Sequence, residues 1–233
     1  GGPMIEVIVD DLAFVQADAV LRPSDERLEP VQRASARLDE QAGPRFATLR
    51  KVNNPLVVGA AVVTGGGELT APLVVHAVIQ SRDENVSADT VRRALTSAWQ
   101  RAAQFQLMSV AMPLIGAGAG QLPPEESARL IKESWNDPAR PHEFPAALTI
   151  VVERERDREE ILPFFAPRGH QPDGPAGGLP RRGVLSPVAG RLDGRLRAPA
   201  GGHAGPDRHE PAPGPAAAPP RDRLGDRPGD PPL

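Results

Sequence analysis

The chain has 233 residues, a net charge of −3, six Phe, two Trp, no Tyr and no cysteine, which excludes disulfides, thiolate catalysis and Cys-ligated metal sites. Before Arg168 it carries 17 basic against 23 acidic residues, a balance that argues against nucleic acid as a partner, because phosphate neutralisation calls for a basic face. No apolar run approaches the roughly 20 residues of a membrane span, and no charged stretch followed by an apolar one opens the sequence, so a soluble, cytoplasmic protein is expected.

Gly1–Pro3, ahead of Met4, reads as a remnant and is set apart from fold reasoning. Residues 168–233 hold 14 of the 28 prolines and 13 of the 23 glycines, with ten arginines and no aromatic. Such a segment buries too little apolar surface to offset the entropy of ordering it, so a disordered tail is expected there. Within it, Pro211–Pro220 reads either as a linker or as a GC-rich frame without selection for folding. Residues 4–167 are expected to form one folded domain around one core.

In chain order, Ile5–Val9 is β-rich and ends at Asp10–Asp11, a first strand. Ala19–Leu21 is a second, stopped by Pro23. From Pro30, Val31, Ala34, Leu38 and Ala42 recur at helical spacing, with Gly43–Pro44 past the end. Ala60–Thr64 and Leu73–Ile79 read as two strands around the turn Gly65–Gly67. Ser87 suits an N-cap, and Val91, Ala94, Leu95, Ala98, Ala102 and Phe105 trace one face of a long helix. Ser109–Ile115 is nearly continuous apolar, as suits a strand covered on both faces. Pro123–Glu126 opens a further helix with Ala128, Ile131 and Trp135 as its buried stripe. Ala147–Val152 is a last strand, and Asp157–Phe165 a short closing helix. The alternation predicts an α/β domain, a three-layer α/β/α fold with a mixed central sheet.

The segment with most chemistry is Ile115-Gly116-Ala117-Gly118-Ala119-Gly120, a strand end running into small residues just before a helix N-terminus. It suits either a cradle of backbone N–H groups around a phosphate or a tight structural turn. It lacks the Lys-Ser/Thr of a P-loop and comes too late in the chain for a Rossmann fingerprint. Asp10 and Asp11 suit either a carboxylate that accepts from an exocyclic amine or a strand-end cap. His76, inside an apolar run, reads as a hydrogen-bonded core residue, and Glu153–Glu160 as a solvated helix face. The five histidines show no ligand spacing, so no metal is expected, and nothing in the chain calls for a cofactor.

These pieces together resemble the macrodomain family. Val9-Asp10-Asp11-Leu12 is similar to its Gly-Asp-Ile segment, and Asp18-Ala19-Val20-Leu21 to the start of its Asp-Ala-Ile-Val-Asn segment. Gly59–Thr64 with Val74–Val78 is similar to its Gly-x-Ala-x-x-Thr and Ile-His-x-Val strands, and Pro113–Gly120 to its diphosphate loop. The resemblance covers Met4 to Trp135. It implies binding of ADP-ribose or an ADP-ribosylated group, with Asp11 on the adenine amine, Leu12 beside it, and Ile115 to Gly120 around the diphosphate. Where the family has Asn-Ala-Ala-Asn, Arg22-Pro23-Ser24-Asp25 stands, followed by Glu26–Pro30 in place of a glycine-rich loop. Arg22 is thereby a candidate ligand contact, and Asp25 a candidate general base for an alternative function, hydrolysis of ADP-ribosyl or O-acyl-ADP-ribose groups. A further alternative is an interaction module whose pocket has been lost.

Overall fold

The computed structural model describes residues 4–118 and 121–166. The strands are β1 (Met4–Val9), β2 (Ala19–Asp25), β3 (Ala61–Gly65), β4 (Leu73–Gln80), β5 (Ser109–Met112) and β6 (Ala147–Val152). The helices are α1 (Arg33–Gln41), α2 (Pro44–Leu49), α3 (Ala88–Gln104), α4 (Pro124–Trp135) and α5 (Glu155–Ile161), and 3-10 turns span Leu12–Phe14 and Leu162–Phe164. The tail, expected to be disordered, lies outside the described residues.

The six strands form one sheet in the order β1-β6-β5-β2-β4-β3. β3 runs antiparallel to β4, pairing Ala61 with Ala77 and Gly65 with Leu73, and the other pairings are parallel. The sheet is therefore mixed, as expected from the sequence. Alternation along each strand separates two cores. Leu21, Val75, Ala77, Ile79, Met112 and Ile150 face α3 and α4, whereas Val20, Val74, Ala111 and Val151 face α1 and α2. This is the predicted three-layer arrangement.

The long α3 shows how sequence sets packing. Ser87 and Thr90 cap each other reciprocally at its start. Val91, Ala94, Leu95, Ala98, Trp99 and Ala102 are then all buried on the sheet side, each large one contributing about 1.5–3 kcal/mol of transfer free energy. Trp99 meets Trp135 of α4 edge-on, ring centroids 5.6 Å apart, and its indole N–H donates to the Ser134 hydroxyl.

Four local expectations change. β2 continues through Pro23 to Asp25, because its ladder with β5 ends at Val20 and leaves an open edge on which a residue without an N–H is tolerated. α1 starts at Arg33 rather than Pro30, since Pro30 bridges back to Ser24 and Gln32 is still extended. Gly43–Pro44 does not simply end that helix: Gly43, at φ +80°, turns the chain and Pro44 opens α2. β5 stops at Met112, so Pro113 to Ile115 belong to the following bend.

Candidate functional site

Two adjoining cavities, of about 370 and 820 Å³, lie at the carboxyl ends of β1, β5 and β6 on the α1 side of the sheet. They share Arg33, Ala34, Pro113, Val151 and Glu153 and so make one cleft. Ligands of open α/β sheets bind at such strand ends. One end of the cleft is lined by Asp10, Asp11, Leu12, Arg37 and Leu38, and the other by Gln32, Leu114, Ala117, Gly118, Gln121, Arg154 and Asp157.

Asp11 sits in the loop after β1, where its Oδ1 accepts from the Ala13 N–H at 3.1 Å and caps the 3-10 turn. Its Oδ2 accepts from Arg37 Nη2 at 2.7 Å and Nε at 3.1 Å. That hydrogen bond, with the Asp11 charge, raises the Arg37 pKa above the ordinary arginine value. Arg154 donates to both oxygens of Asp157, at 3.0 and 3.2 Å. Arg33, at the first position of α1, has no ion-pair partner among the described residues. It stands where the two cavities meet, beside Glu153, which lines both.

The small-residue bend is fixed at its start. Ile115 is fully buried and its carbonyl accepts from the Ser127 hydroxyl of α4 at 2.7 Å. Gly116 has φ +75°, and a Cβ built there would lie 2.9 Å from Val91 Cγ2, so glycine is required both by conformation and by space. The Gly116 N–H donates to Gln32 Oε1 at 3.0 Å, and Gln32 Nε2 donates to the Leu114 carbonyl at 3.2 Å. The Ala117 N–H closes a turn onto the Leu114 carbonyl, and Gln121 Nε2 donates to the Val31 carbonyl at 2.9 Å.

Of the residues singled out in the sequence, Asp11, Leu12, Ala117 and Gly118 line the cleft, whereas Ile115 and Gly116 do not. Ala119 and Gly120 lie outside the described residues. Arg22 does not line the cleft. Its side chain is fully buried in a bidentate pair with Asp39 of α1, at 2.6 and 2.5 Å. Asp25 is also absent from the cleft lining. Its Oδ1 accepts from the Arg27 and Glu29 N–H groups, both at 2.9 Å, and caps its own turn.

Sequence reasoning missed Gln32, Arg33, Arg37 and Gln121. Arg33 and Arg37 stand one helical turn apart, a spacing that marks one face of α1 once its start is known. Glu153 and Asp157, expected on a solvated face, rim the cleft together with Arg154. His76 is buried as expected, with Nε2 2.7 Å from Thr64 Oγ1.

A macro domain family model matches residues 23–131. The chain is 32% identical over 130 residues to an uncharacterised protein of Aeropyrum pernix, an overlap of 55% of this chain and 69% of that one. It is 25% identical over 177 residues to the O-acetyl-ADP-ribose deacetylase of Enterobacter sp. (strain 638), covering 73% of this chain and 98% of the relative. Among solved structures, the Trypanosoma brucei macrodomain in complex with ADP-ribose superposes with a TM-score of 0.57 at 17% identity, covering 67% of each chain.

Proposed function

Because the chain belongs to the macrodomain family, we propose that its cleft binds ADP-ribose or a close relative, with the base at the Asp11–Leu12 end and the diphosphate toward Ala117 and Gly118. The observation that carries this reading is a single cleft running from Asp11 to the Gly118 bend across the carboxyl ends of the strands. Arg33, between the two ends, supplies a cation where the phosphates would lie, and charge-assisted contacts of this kind are the strong ones. The carboxylate of Asp11 would accept from the adenine amine while keeping its bonds to Arg37.

Isothermal titration calorimetry of the full chain with ADP-ribose and with AMP tests the reading. Saturable heat is expected from ADP-ribose and weaker binding from AMP; no heat from either at millimolar ligand sinks it. Asp11→Ala should weaken ADP-ribose binding about tenfold, the loss expected for one charged hydrogen bond.

A second reading, removal of an acyl group from O-acyl-ADP-ribose, is favoured by the match that extends over 98% of the Enterobacter deacetylase. Release of acetate from O-acetyl-ADP-ribose supports it, and absence of release leaves a binding module.

A further inference from the structure

The backbone amides at the start of the bend are occupied by groups of the protein itself. Gln32, extended at the N-cap of α1, lays its amide along the bend: Oε1 takes the Gly116 N–H and Nε2 meets the Leu114 carbonyl. Gln121 answers from the other side by donating to the Val31 carbonyl, so the segment before α1 and the bend are strapped together twice. The Ala117 N–H is spent on its own turn. The Gly118 N–H, by contrast, finds no acceptor among the described residues. Both Gln32 and Gln121 line the larger cavity, so the strap forms part of the wall against which a ligand must lie.

We infer that Gln32 is an affinity-determining residue of this site, its side-chain oxygen standing in for a phosphate oxygen at the Gly116 N–H. This rests on the diphosphate reading given above. An anion reaching the Gly116 amide must displace Gln32, and the neutral amide gives way only to a stronger acceptor. Diphosphate-bearing ligands meet that condition, whereas a nucleoside, which reaches only the Asp11 end, neither meets nor needs it. The strap thus biases the site toward ligands with a pyrophosphate and sets the threshold for holding them.

Three proteins, the parent, Gln32→Ala and Gln32→Glu, are to be titrated with ADP-ribose and adenosine, and exchange of the Gly116 amide hydrogen followed without ligand. Gln32→Ala is expected to bind ADP-ribose about five- to tenfold more tightly, from release of competing hydrogen bonds, with adenosine unchanged. Gln32→Glu, which puts a carboxylate where a phosphate oxygen would come, is expected to bind ADP-ribose at least tenfold more weakly and to melt within a few degrees of the parent. The Gly116 amide should exchange slowly in the parent and fast in Gln32→Ala. Equal or weaker ADP-ribose binding by Gln32→Ala overturns the inference while leaving the ADP-ribose reading intact. Binding by none of the three proteins overturns both, whereas binding by Gln32→Ala alone supports both.

Discussion

Arg22 Nη1 lies 3.2 Å from His76 Nδ1 in the layer between the sheet and α1. A guanidinium can only donate, so Nδ1 must accept and the ring proton sits on Nε2, donated to Thr64 Oγ1, which passes its own proton to the Gly65 carbonyl. Burial, then the charges of Arg22 and Arg50, hold the His76 pKa well below the usual histidine value of 6.5. The unfolded chain therefore takes up a proton that the folded one refuses. The stability that His76 contributes is present above about pH 6.5 and is lost as pH falls below it, with a slope approaching about 1.4 kcal/mol per pH unit. Urea denaturation at pH 7.5, 6.5 and 5.5 measures this, and a profile equally steep in His76→Gln would refute the assignment.

Asp39 balances a side chain that has no contact with water. Removing it by Asp39→Ala leaves the Arg22 guanidinium buried with its carboxylate gone, while Arg50, 3.7 Å from the same carboxylate, keeps only Glu29 as an ion-pair partner among the described residues. A loss of about 3–5 kcal/mol is expected. The apolar pair Arg22→Met with Asp39→Leu should cost less than Asp39→Ala alone. Equilibrium denaturation of both variants decides the point.

At Gly116 backbone and packing make the same demand. Gly116→Ala would place a methyl 2.9 Å from Val91 Cγ2 at φ +75°. It should destabilise by about 1–3 kcal/mol and weaken ADP-ribose binding, since the bend must move to admit it. Thermal melting and titration calorimetry read the two effects separately.

Asp25→Ala removes the acceptor of two turn amides. It should cost about 1 kcal/mol in stability while leaving ADP-ribose affinity and any acetate release at parental levels. A variant that folds well but no longer releases acetate would restore Asp25 as a catalytic candidate.

The strands and their layers were legible because period and apolarity are local signals: Val74 to Ile79 and Ser109 to Met112 carry them without help from distant residues. Ser87 announced α3 through its own side chain. The segment from Pro30 to Pro44 was misread where tertiary pairing intervened, as Pro30 is drawn into a bridge with Ser24 and Pro44 starts a helix instead of following one. The cleft was legible at Asp11 and at the glycine bend, which motifs mark. Gln32 and Gln121 gave no signal, since a glutamine becomes a strap only when folding brings a carbonyl 82 residues or more away within reach. Arg22 and Asp25 stand apart from the cleft lining for a related reason: position in a motif says where a residue falls along the chain, not which partner has already claimed its charge.

Trp99 and Trp135 meet on the side of the sheet away from the Asp11–Gly118 cleft, and the chain has no other indole. Intrinsic tryptophan emission will therefore follow the melting of that far layer and stay dark to occupancy. An optical titration of ligand needs a fluorophore placed on the near side; a flat native signal is the natural behaviour of a sheet that screens its reporters from its guest.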